Sequence, residues 1–340
     1  MVSREADAAS RARDAAEPVA GRCKRLVQLP GMEARMGPVN ASDPPTDGSA
    51  AGYWNEAHLA QPGGDDGNFM QHPLVRVYMS MRSFGEVVGQ LDVVAAELRT
   101  RTQPGARIVS VGCGRATKER TLASMMPDRQ FVGLDVADRV LEVATEEARA
   151  AGIGNLELRV ADFNALELEA DAYDALLGLG AIHHVEALEA FWAAAARGLK
   201  PDGVVLAQEY VGPSRFQWTE AQIEQGDRVL AELVPDAHKL HHRRVHRPSV
   251  AEMCRIDPSE AVRSAEILTT LKDAGFAVEG LAGAGGALLQ PVLMNQIRTF
   301  DPADWSHSLV LARLFQEEDR LMREGVLGDD FVSFVARPPR

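Results

Sequence analysis

A glycine-rich turn between a predicted strand and a predicted helix is the clearest chemical feature of the sequence. Residues 108–117 read Ile-Val-Ser-Val-Gly-Cys-Gly-Arg-Ala-Thr. Gly112 and Gly114 let the backbone bend sharply and approach a ligand, and the first turn of the following helix offers unpaired N–H donors. Many α/β proteins carry such a turn for packing alone, so by itself the turn leaves both roles open.

Acidic residues follow at places where neighbouring strands are predicted to end. Asp135 comes 23 residues after Gly112, and a carboxylate there can accept hydrogen bonds from both hydroxyls of a ribose. Asp162 and Phe163 follow the next strand, where a carboxylate and an aromatic ring suit an adenine. Ligands bind in the crevice beyond the carboxyl ends of parallel strands, so the combination predicts a nucleoside site. A helix N-cap or a plain surface residue is the alternative for Asp135, although its position and spacing favour a nucleoside contact, and Asp162 taken singly is compatible with an ordinary strand end.

The elements that must position these residues alternate in type. Strands are predicted at residues 107–111, 131–134, 156–160, 175–179 and 204–208, with helices between them. This alternation indicates βαβ units, a parallel sheet and right-handed crossovers. Apolar residues at helical spacing precede the first strand, over residues 84–98. After residue 211 the alternation stops, and we expect helices at 264–274 and 305–323 and strands at 276–281 and 330–336.

In their order along the chain, these motifs resemble those of class I S-adenosylmethionine-dependent methyltransferases. The matching segments are Val-Ser-Val-Gly-Cys-Gly114, Gly-Leu-Asp135, Ala-Asp162-Phe, Ile-His183-His184-Val and Leu-Lys-Pro-Asp-Gly203. Segments 209–218, 257–264 and 285–289 are similar to a bacterial subgroup that we associate with small-molecule or glycan-linked genes. The resemblance implies an α/β fold with a Rossmann-like seven-stranded sheet, helices on both faces and an antiparallel last strand. An N-terminal helical cap and a helical lid insertion after strand five complete the expected architecture.

The resemblance also implies S-adenosylmethionine as the cofactor and S-adenosylhomocysteine as its product. Gly112 and Gly114 would border the methionine part, Asp135 would hold the ribose, and Asp162 with Phe163 the adenine. The expected cofactor-binding residues are Gly112, Cys113, Gly114, Asp135, Val136, Asp162, Phe163, Leu179 and Gly180. Ser110 and Ala116 stand where the family commonly has an acidic residue and a third glycine, which puts cofactor affinity in question.

The methyl acceptor must be aligned with the sulfonium and, if it is a hydroxyl, must lose a proton. His183 and His184 follow strand four and are the predicted catalytic residues, because a histidine suits general-base work near neutral pH. A role in shaping the site is the alternative. Glu209 and Tyr210 follow strand five and, with Arg215, are the expected substrate-binding residues. Rim packing is the alternative for Tyr210.

Segment 239–247 is basic within an acidic chain and carries four fixed positive charges. It suits either a clamp for a carboxylate, phosphate or nucleotide-sugar acceptor, or a solvated helix face. His238, His242 and His246 recur every four residues. No nearby carboxylate or cysteine completes a zinc site in the sequence, so no metal site is predicted.

Composition limits the class of protein. The chain has 340 residues, of which 46% are hydrophobic, and a formal net charge of −13. An acidic surface repels phosphate backbones, and residues 178–181 lack the Asn-Pro-Pro-Tyr pattern of nucleic-acid amino methyltransferases, so nucleic acid is not an expected partner. No apolar run approaches the ~20 residues of a membrane span. The three cysteines form no disulfide framework and no secretory signal is present, which predicts a soluble, cytoplasmic protein.

The predicted function is methyl transfer from S-adenosylmethionine to an oxygen or nitrogen of a small molecule, such as a natural-product, amino-acid or sugar-type acceptor. A nicotinamide-dependent oxidoreductase and a non-catalytic cofactor-binding partner subunit are the alternatives, and a homodimer is compatible with the sequence. The predicted organisation is a disordered tail (1–50), a helical cap (51–104), the cofactor-binding core (105–212), a helical lid (213–263) and C-terminal helices and closing strands (264–340).

Overall fold

The computed structural model describes residues 50–60, 68–239, 243–294 and 296–340, so the predicted tail lies almost wholly outside the described residues. The helices are α1 (Ala50–Ala60), α2 (Pro73–Phe84), α3 (Gln90–Arg101), α4 (Thr117–Met125), α5 (Asp138–Ala150), α6 (Leu188–Gly198), α7 (Glu220–Glu232), α8 (Val250–Ile256), α9 (Ile267–Asp273), α10 (Leu289–Leu293) and α11 (Trp305–Arg323). The strands are β1 (Arg107–Val111), β2 (Gln130–Asp135), β3 (Leu156–Val160), β4 (Tyr173–Leu179), β5 (Leu199–Tyr210), β6 (Ala277–Gly286) and β7 (Asp329–Arg337).

Within the described residues, seven strands form one sheet in the order β3-β2-β1-β4-β5-β7-β6. Strands β1 to β5 pair in parallel, and β7 is antiparallel to both of its neighbours. The predicted sheet and its inserted antiparallel last strand are therefore confirmed. The strand order reverses between β1 and β4, and crevices open at such a switch point beyond the carboxyl ends of the strands. This topology brings the glycine turn after β1 next to the histidines after β4.

The two faces of the sheet carry separate apolar layers. Val109 and Leu176 pack in one layer with α6 and α9, whereas Ile108 and Leu177 pack in the other with α3 and α4. Successive residues of a strand point to opposite faces, so the continuous apolar runs of β1 and β4 are those of strands buried on both sides. Helices thus cover both faces, as predicted.

A third apolar layer lies beyond the sheet and joins α2, α7, α10 and α11. The predicted lid segment, residues 213–263, contains α7 and α8. Thr219 is the N-cap of α7, and its side chain accepts the N–H of Gln222 in a reciprocal capping box. Residues 240–242, in the middle of the basic segment, are outside the described residues.

Several predicted element boundaries differ from the observed ones. The helix expected over residues 84–98 is confirmed only from Gln90 onwards, because Gly85, with φ 75°, ends α2 and α3 begins at Gln90. Strand β6 continues to Gly286, five residues beyond the prediction. Helix α11 has the predicted bounds.

Among the described cysteines, Cys113 is a free and buried thiol. None of the helices in the described part of the chain is both long enough and apolar enough to cross a bilayer.

Candidate functional site

The glycine turn packs directly against its neighbours. Gly112 has φ 65° and Gly114 has φ 51°, a region that costs other residues energy. A Cβ at position 112 would collide with the Cβ of Ala181, and one at position 114 would lie 3.0 Å from the ring of His58. The turn therefore needs glycine twice, and helix α1, which carries His58, lies over it.

Asp135 ties the end of β2 to this turn. Its buried carboxylate accepts the N–H of Gly114 through Oδ2 at 2.7 Å and the N–H of Ala137 through Oδ1 at 3.0 Å. Each carboxylate oxygen can accept more than one hydrogen bond, so the side chain keeps acceptor capacity for a hydroxyl group. The half-buried Val136 follows directly.

Phe163 reaches the same sheet edge after β3. Its ring lies 3.7 Å from the position that a Cβ on Gly112 would take. Asp162 is exposed and accepts the N–H of Asn164 at 2.9 Å, which caps the short helical turn at 163–165. The structure thus brings Gly112, Asp135 and Phe163 together, with Asp162 at the rim.

Ser110, one of the two departures from the family pattern, has a local explanation. Ser110 donates to Oε1 of Glu119 at 2.7 Å, and both side chains are buried. Helix α4 therefore supplies an acidic group beside the strand position that lacks one. Burial raises the pKa of Glu119, and its Oε2 has no hydrogen-bond partner among the described residues. Ala116 has φ 52° where a third glycine is common, a conformation that costs about 1–2 kcal/mol.

The chain after β4 leads towards the histidines. The carbonyl of Leu179 accepts from Lys118 Nζ at 2.5 Å, and the N–H of Gly180 donates to Gln208 at 2.9 Å. The Leu179 side chain is buried in the apolar layer, whereas Gly180 is exposed with φ 78°. Both residues lie at the switch point beside the glycine turn.

Glu209 positions the first histidine. Its Oε1 accepts the N–H groups of Ala181 and Ile182, each at 2.8 Å, and its Oε2 lies 2.8 Å from Nδ1 of His183. The carboxylate is fully buried. Its predicted contact with substrate stays a prediction, whereas the contacts in the structure give it a positioning role that the sequence did not indicate.

His184 is held by residues that lie far away in the sequence. Its Nδ1 lies 3.2 Å from Oγ of Ser259, which donates to Asp257 Oδ1 at 2.8 Å. Trp54 of α1 donates to the same Ser259 oxygen at 3.4 Å, and its ring packs edge-on against His184 with centroids 4.9 Å apart. Helix α1 therefore covers the histidines as well as the glycine turn.

Glu260 completes a cluster with the two histidines. Its Oε1 lies 3.7 Å from Nε2 of His183, and one potential ligand atom from each of His183, His184 and Glu260 lies within 4.8 Å of the others. The Glu260 side chain is 24% exposed. Sequence reasoning missed Glu260 and Ser259 as site residues, although both belong to the 257–264 segment that it singled out.

The pKa values of the titratable groups in this cluster are shifted in different directions. Burial lowers the pKa of His183, but its bond to Glu209 and the charge of Glu260 outweigh that effect and raise the pKa overall. Burial and the neighbouring His183 lower the pKa of His184 well below its usual range. Burial raises the pKa of Glu260 to about 7, although His183 opposes the change. Such shifts are common at functional sites.

Arg215 and Tyr210 have internal partners. The Arg215 guanidinium is buried and donates to the carbonyls of Pro258 at 2.7 Å and Glu260 at 3.0 Å, so it holds the loop that carries Glu260. Tyr210 donates to the carbonyl of Pro213 at 3.1 Å and is also buried. The structure does not bring either polar group to an exposed surface, and their substrate contacts stay predictions.

Three of the four fixed positive charges in the basic segment contact nearby carboxylates. Lys239 and Arg243 contact Asp236 at 3.0 and 3.2 Å, and Arg247 contacts Glu220 at 2.5 Å. His238 accepts or donates a bond at 2.9 Å with Thr299. These pairs agree with a solvated face paired with acidic residues, but the predicted helix is wrong for the described residues 243–249, which precede α8. His242 lies outside the described residues.

Comparison with known proteins identifies relatives. A family model described as a methyltransferase domain matches residues 102–275, slightly more than half of the chain. Nocamycin O-methyltransferase of Saccharothrix syringae is 28% identical over 145 residues, which are 42% of this chain and 51% of that protein. A ubiquinone biosynthesis O-methyltransferase of Roseobacter denitrificans is 30% identical over 155 residues, which are 46% and 57% of the two chains.

The chain thus spans about half the length of the curated relatives that it matches. Among solved structures, Haemonchus contortus phosphoethanolamine N-methyltransferase 2, in complex with phosphomonomethylethanolamine and S-adenosylhomocysteine, has 18% identity and a TM-score of 0.50, and the match covers 86% of this chain and 60% of that one. This similarity supports the fold.

Proposed function

Because the chain belongs to the methyltransferase domain family, we propose that it transfers a methyl group from S-adenosylmethionine to a small molecule. The observation that carries the proposal is the meeting of Gly112, Asp135 and Phe163 at one sheet edge, beside the His183–Glu209 pair. This arrangement supports the proposal of a nucleoside site next to groups that can bind an acceptor.

The residues at the edge fit the cofactor. The two glycines leave the backbone open to close approach, and Asp135 keeps acceptor capacity for the ribose hydroxyls. Phe163 offers a ring for the adenine, and Asp162 at the rim is placed to accept from its amine. Cys113, Val136, Leu179 and Gly180 complete the proposed binding surface. S-adenosylmethionine, when bound, supplies the electrophilic methyl group.

The acceptor would lie on the side of His183, His184 and Glu260. An oxygen acceptor is favoured, because a hydroxyl must lose its proton and this cluster offers basic groups at the required place. The curated relatives with 28% and 30% identity are named O-methyltransferases. In the proposed reaction the acceptor oxygen bonds the methyl carbon, the carbon–sulfur bond breaks, and its electron pair stays on sulfur.

Calorimetric titration with S-adenosylhomocysteine tests the cofactor site. Asp135→Ala should weaken binding at least tenfold, since a charge-assisted hydrogen bond is worth about 1.5–3 kcal/mol. Asp273→Asn, which removes an exposed carboxylate at the end of α9, is the matched control and should bind as the wild type does. No binding to the wild type at about 100 μM ligand, or equal binding by Asp135→Ala, would contradict the proposal.

A turnover assay distinguishes the proposed enzyme from a non-catalytic partner subunit. A non-catalytic partner subunit would bind S-adenosylhomocysteine but would release no methyl group from S-adenosylmethionine with any acceptor until a second protein is added. Methylation of a small hydroxylated acceptor by the purified chain alone is the expected result.

A further inference from the structure

We propose that His183, His184 and Glu260 bind one divalent cation of the zinc type at the acceptor end of the site. The inference deepens the proposed function, on which its catalytic role rests, but cation binding itself is independent of methyl transfer. Two histidines and one carboxylate are a recurring ligand set for catalytic zinc, with a further position left open for water or substrate.

The distances suit such an ion. His183 Nε2 and Glu260 Oε1 are 3.7 Å apart, and the three ligand atoms lie within 4.8 Å of one another. Zinc bonds nitrogen and oxygen at about 2.0–2.2 Å, so two tetrahedral ligand atoms are about 3.4 Å apart. An approach of about 0.3 Å for the His183–Glu260 pair, and of at most about 1.4 Å for the other pairs, would bring the three atoms around one ion.

Hydrogen bonds at Nδ1 leave both histidine rings able to bind a cation through Nε2. Glu209 Oε2 accepts from Nδ1 of His183, which leaves the Nε2 lone pair free. Ser259 donates its hydroxyl hydrogen to Asp257, so its oxygen accepts from Nδ1 of His184 and leaves that ring's Nε2 lone pair free as well. A hydrogen-bond partner on the second ring nitrogen is the usual arrangement for a metal-binding histidine.

The local charge also favours a cation. Glu209, Asp257 and Glu260 contribute carboxylates, and Arg215 is the cation that faces this cluster from the neighbouring loop. Three carboxylates therefore lie around the two histidines against one guanidinium. Arg215 directs its donors at the backbone carbonyls of Pro258 and Glu260, away from the space between the histidines.

The bound cation would act on the methyl acceptor. An acceptor hydroxyl that takes the open position loses its proton to solvent more easily, because the cation lowers its pKa. The resulting oxyanion forms the bond to the methyl carbon as the carbon–sulfur bond of S-adenosylmethionine breaks, and sulfur keeps the electron pair. His183 and His184 then act as ligands of the cation, which makes them catalytic without requiring either to be the base.

The test is calorimetric titration of the chelator-treated full chain with ZnCl2. Glu260→Gln keeps the side-chain volume but removes a charged ligand, and His184→Gln removes a second ligand. Both should bind zinc at least tenfold more weakly than the wild type. Glu224→Gln, at an exposed position on α7, removes the same charge elsewhere and should bind zinc as the wild type does. Thermal unfolding of each variant without zinc checks that it is folded.

Three outcomes decide the matter. One zinc per chain with micromolar or tighter affinity, lost in both site variants, supports the site. Wild-type binding weaker than about 1 mM, or binding that survives in both variants, overturns it. Titration of the same samples with S-adenosylhomocysteine separates the two proposals, because zinc binding without nucleoside binding would contradict the methyltransferase proposal and leave the cation site standing.

Discussion

The substitution Glu209→Gln should disturb the contact with His183 but keep the two hydrogen bonds to the backbone after β4. The amide oxygen of Gln can still accept the N–H groups of Ala181 and Ile182, which bond Glu209 Oε1 at 2.8 Å. The NH2 group then faces Nδ1 of His183, which must become an acceptor. The ring proton moves to Nε2 and blocks the lone pair that faces Glu260.

The magnitudes follow from these contacts. Loss of a hydrogen-bond partner behind a metal-binding histidine lowers metal affinity about 10–100-fold, so zinc affinity should fall by that factor in Glu209→Gln. Glu209→Ala would leave two buried N–H groups without an acceptor, at about 1–3 kcal/mol each, and should therefore be less stable by about 2–6 kcal/mol. Glu209→Gln should unfold close to the wild-type temperature.

Thermal unfolding and zinc calorimetry on the same samples measure both effects, with Glu224→Gln as the charge-matched control. A Glu209→Gln protein that binds zinc as tightly as the wild type would refute the reasoning about the ring proton. If Glu209→Ala unfolds at the wild-type temperature, the two backbone contacts do not stabilise the site.

Further predictions concern the glycine turn and a buried carboxyl group. Gly112→Ala adds a methyl that collides with Ala181, whereas Gly152→Ala, at a similar φ of 70°, meets no described atom within 4 Å. Urea unfolding should therefore show a loss of about 2–5 kcal/mol for Gly112→Ala and of about 1–2 kcal/mol for Gly152→Ala, and equal losses would contradict the packing argument. Burial raises the pKa of Asp330 to about 7, so the folded chain retains a proton that the unfolded chain releases near pH 4. The free energy of unfolding should fall between pH 4 and 7, by up to about 4 kcal/mol from this group, and Asp330→Asn should reduce that fall; an unchanged pH dependence would show that Asp330 is not the group responsible.

Local patterns in the sequence were enough to predict most of the elements. The apolar run of β1 and the spacing of α11 are properties of consecutive residues, and the observed bounds agree with the predicted ones. The order of the motifs then indicated the sheet. The prediction failed at Gly85, where one glycine in the left-handed conformation ends a helix although the apolar spacing continues beyond it.

Part of the candidate site could also be predicted from the sequence. The carboxyl ends of adjacent parallel strands meet at one edge, so Gly112, Asp135 and Phe163 had to converge once the strand order was known. The roles of individual side chains were harder to predict. Glu209 was expected to contact substrate, but its carboxylate is turned inward to three partners after β4.

Only the tertiary structure decided what surrounds the histidines. His184 and Ser259 are 75 positions apart in the chain, and Trp54 reaches both from a helix that precedes the sheet. Glu119 stands beside Ser110 through the path of α4, which no pattern of strand residues indicates. The spacing of apolar residues indicates which face of a helix or strand is buried, because this spacing is a property of residues that are close together in the chain. Which loop crosses which strand end depends on the packing of the whole molecule, and that packing determines the partners of Glu260.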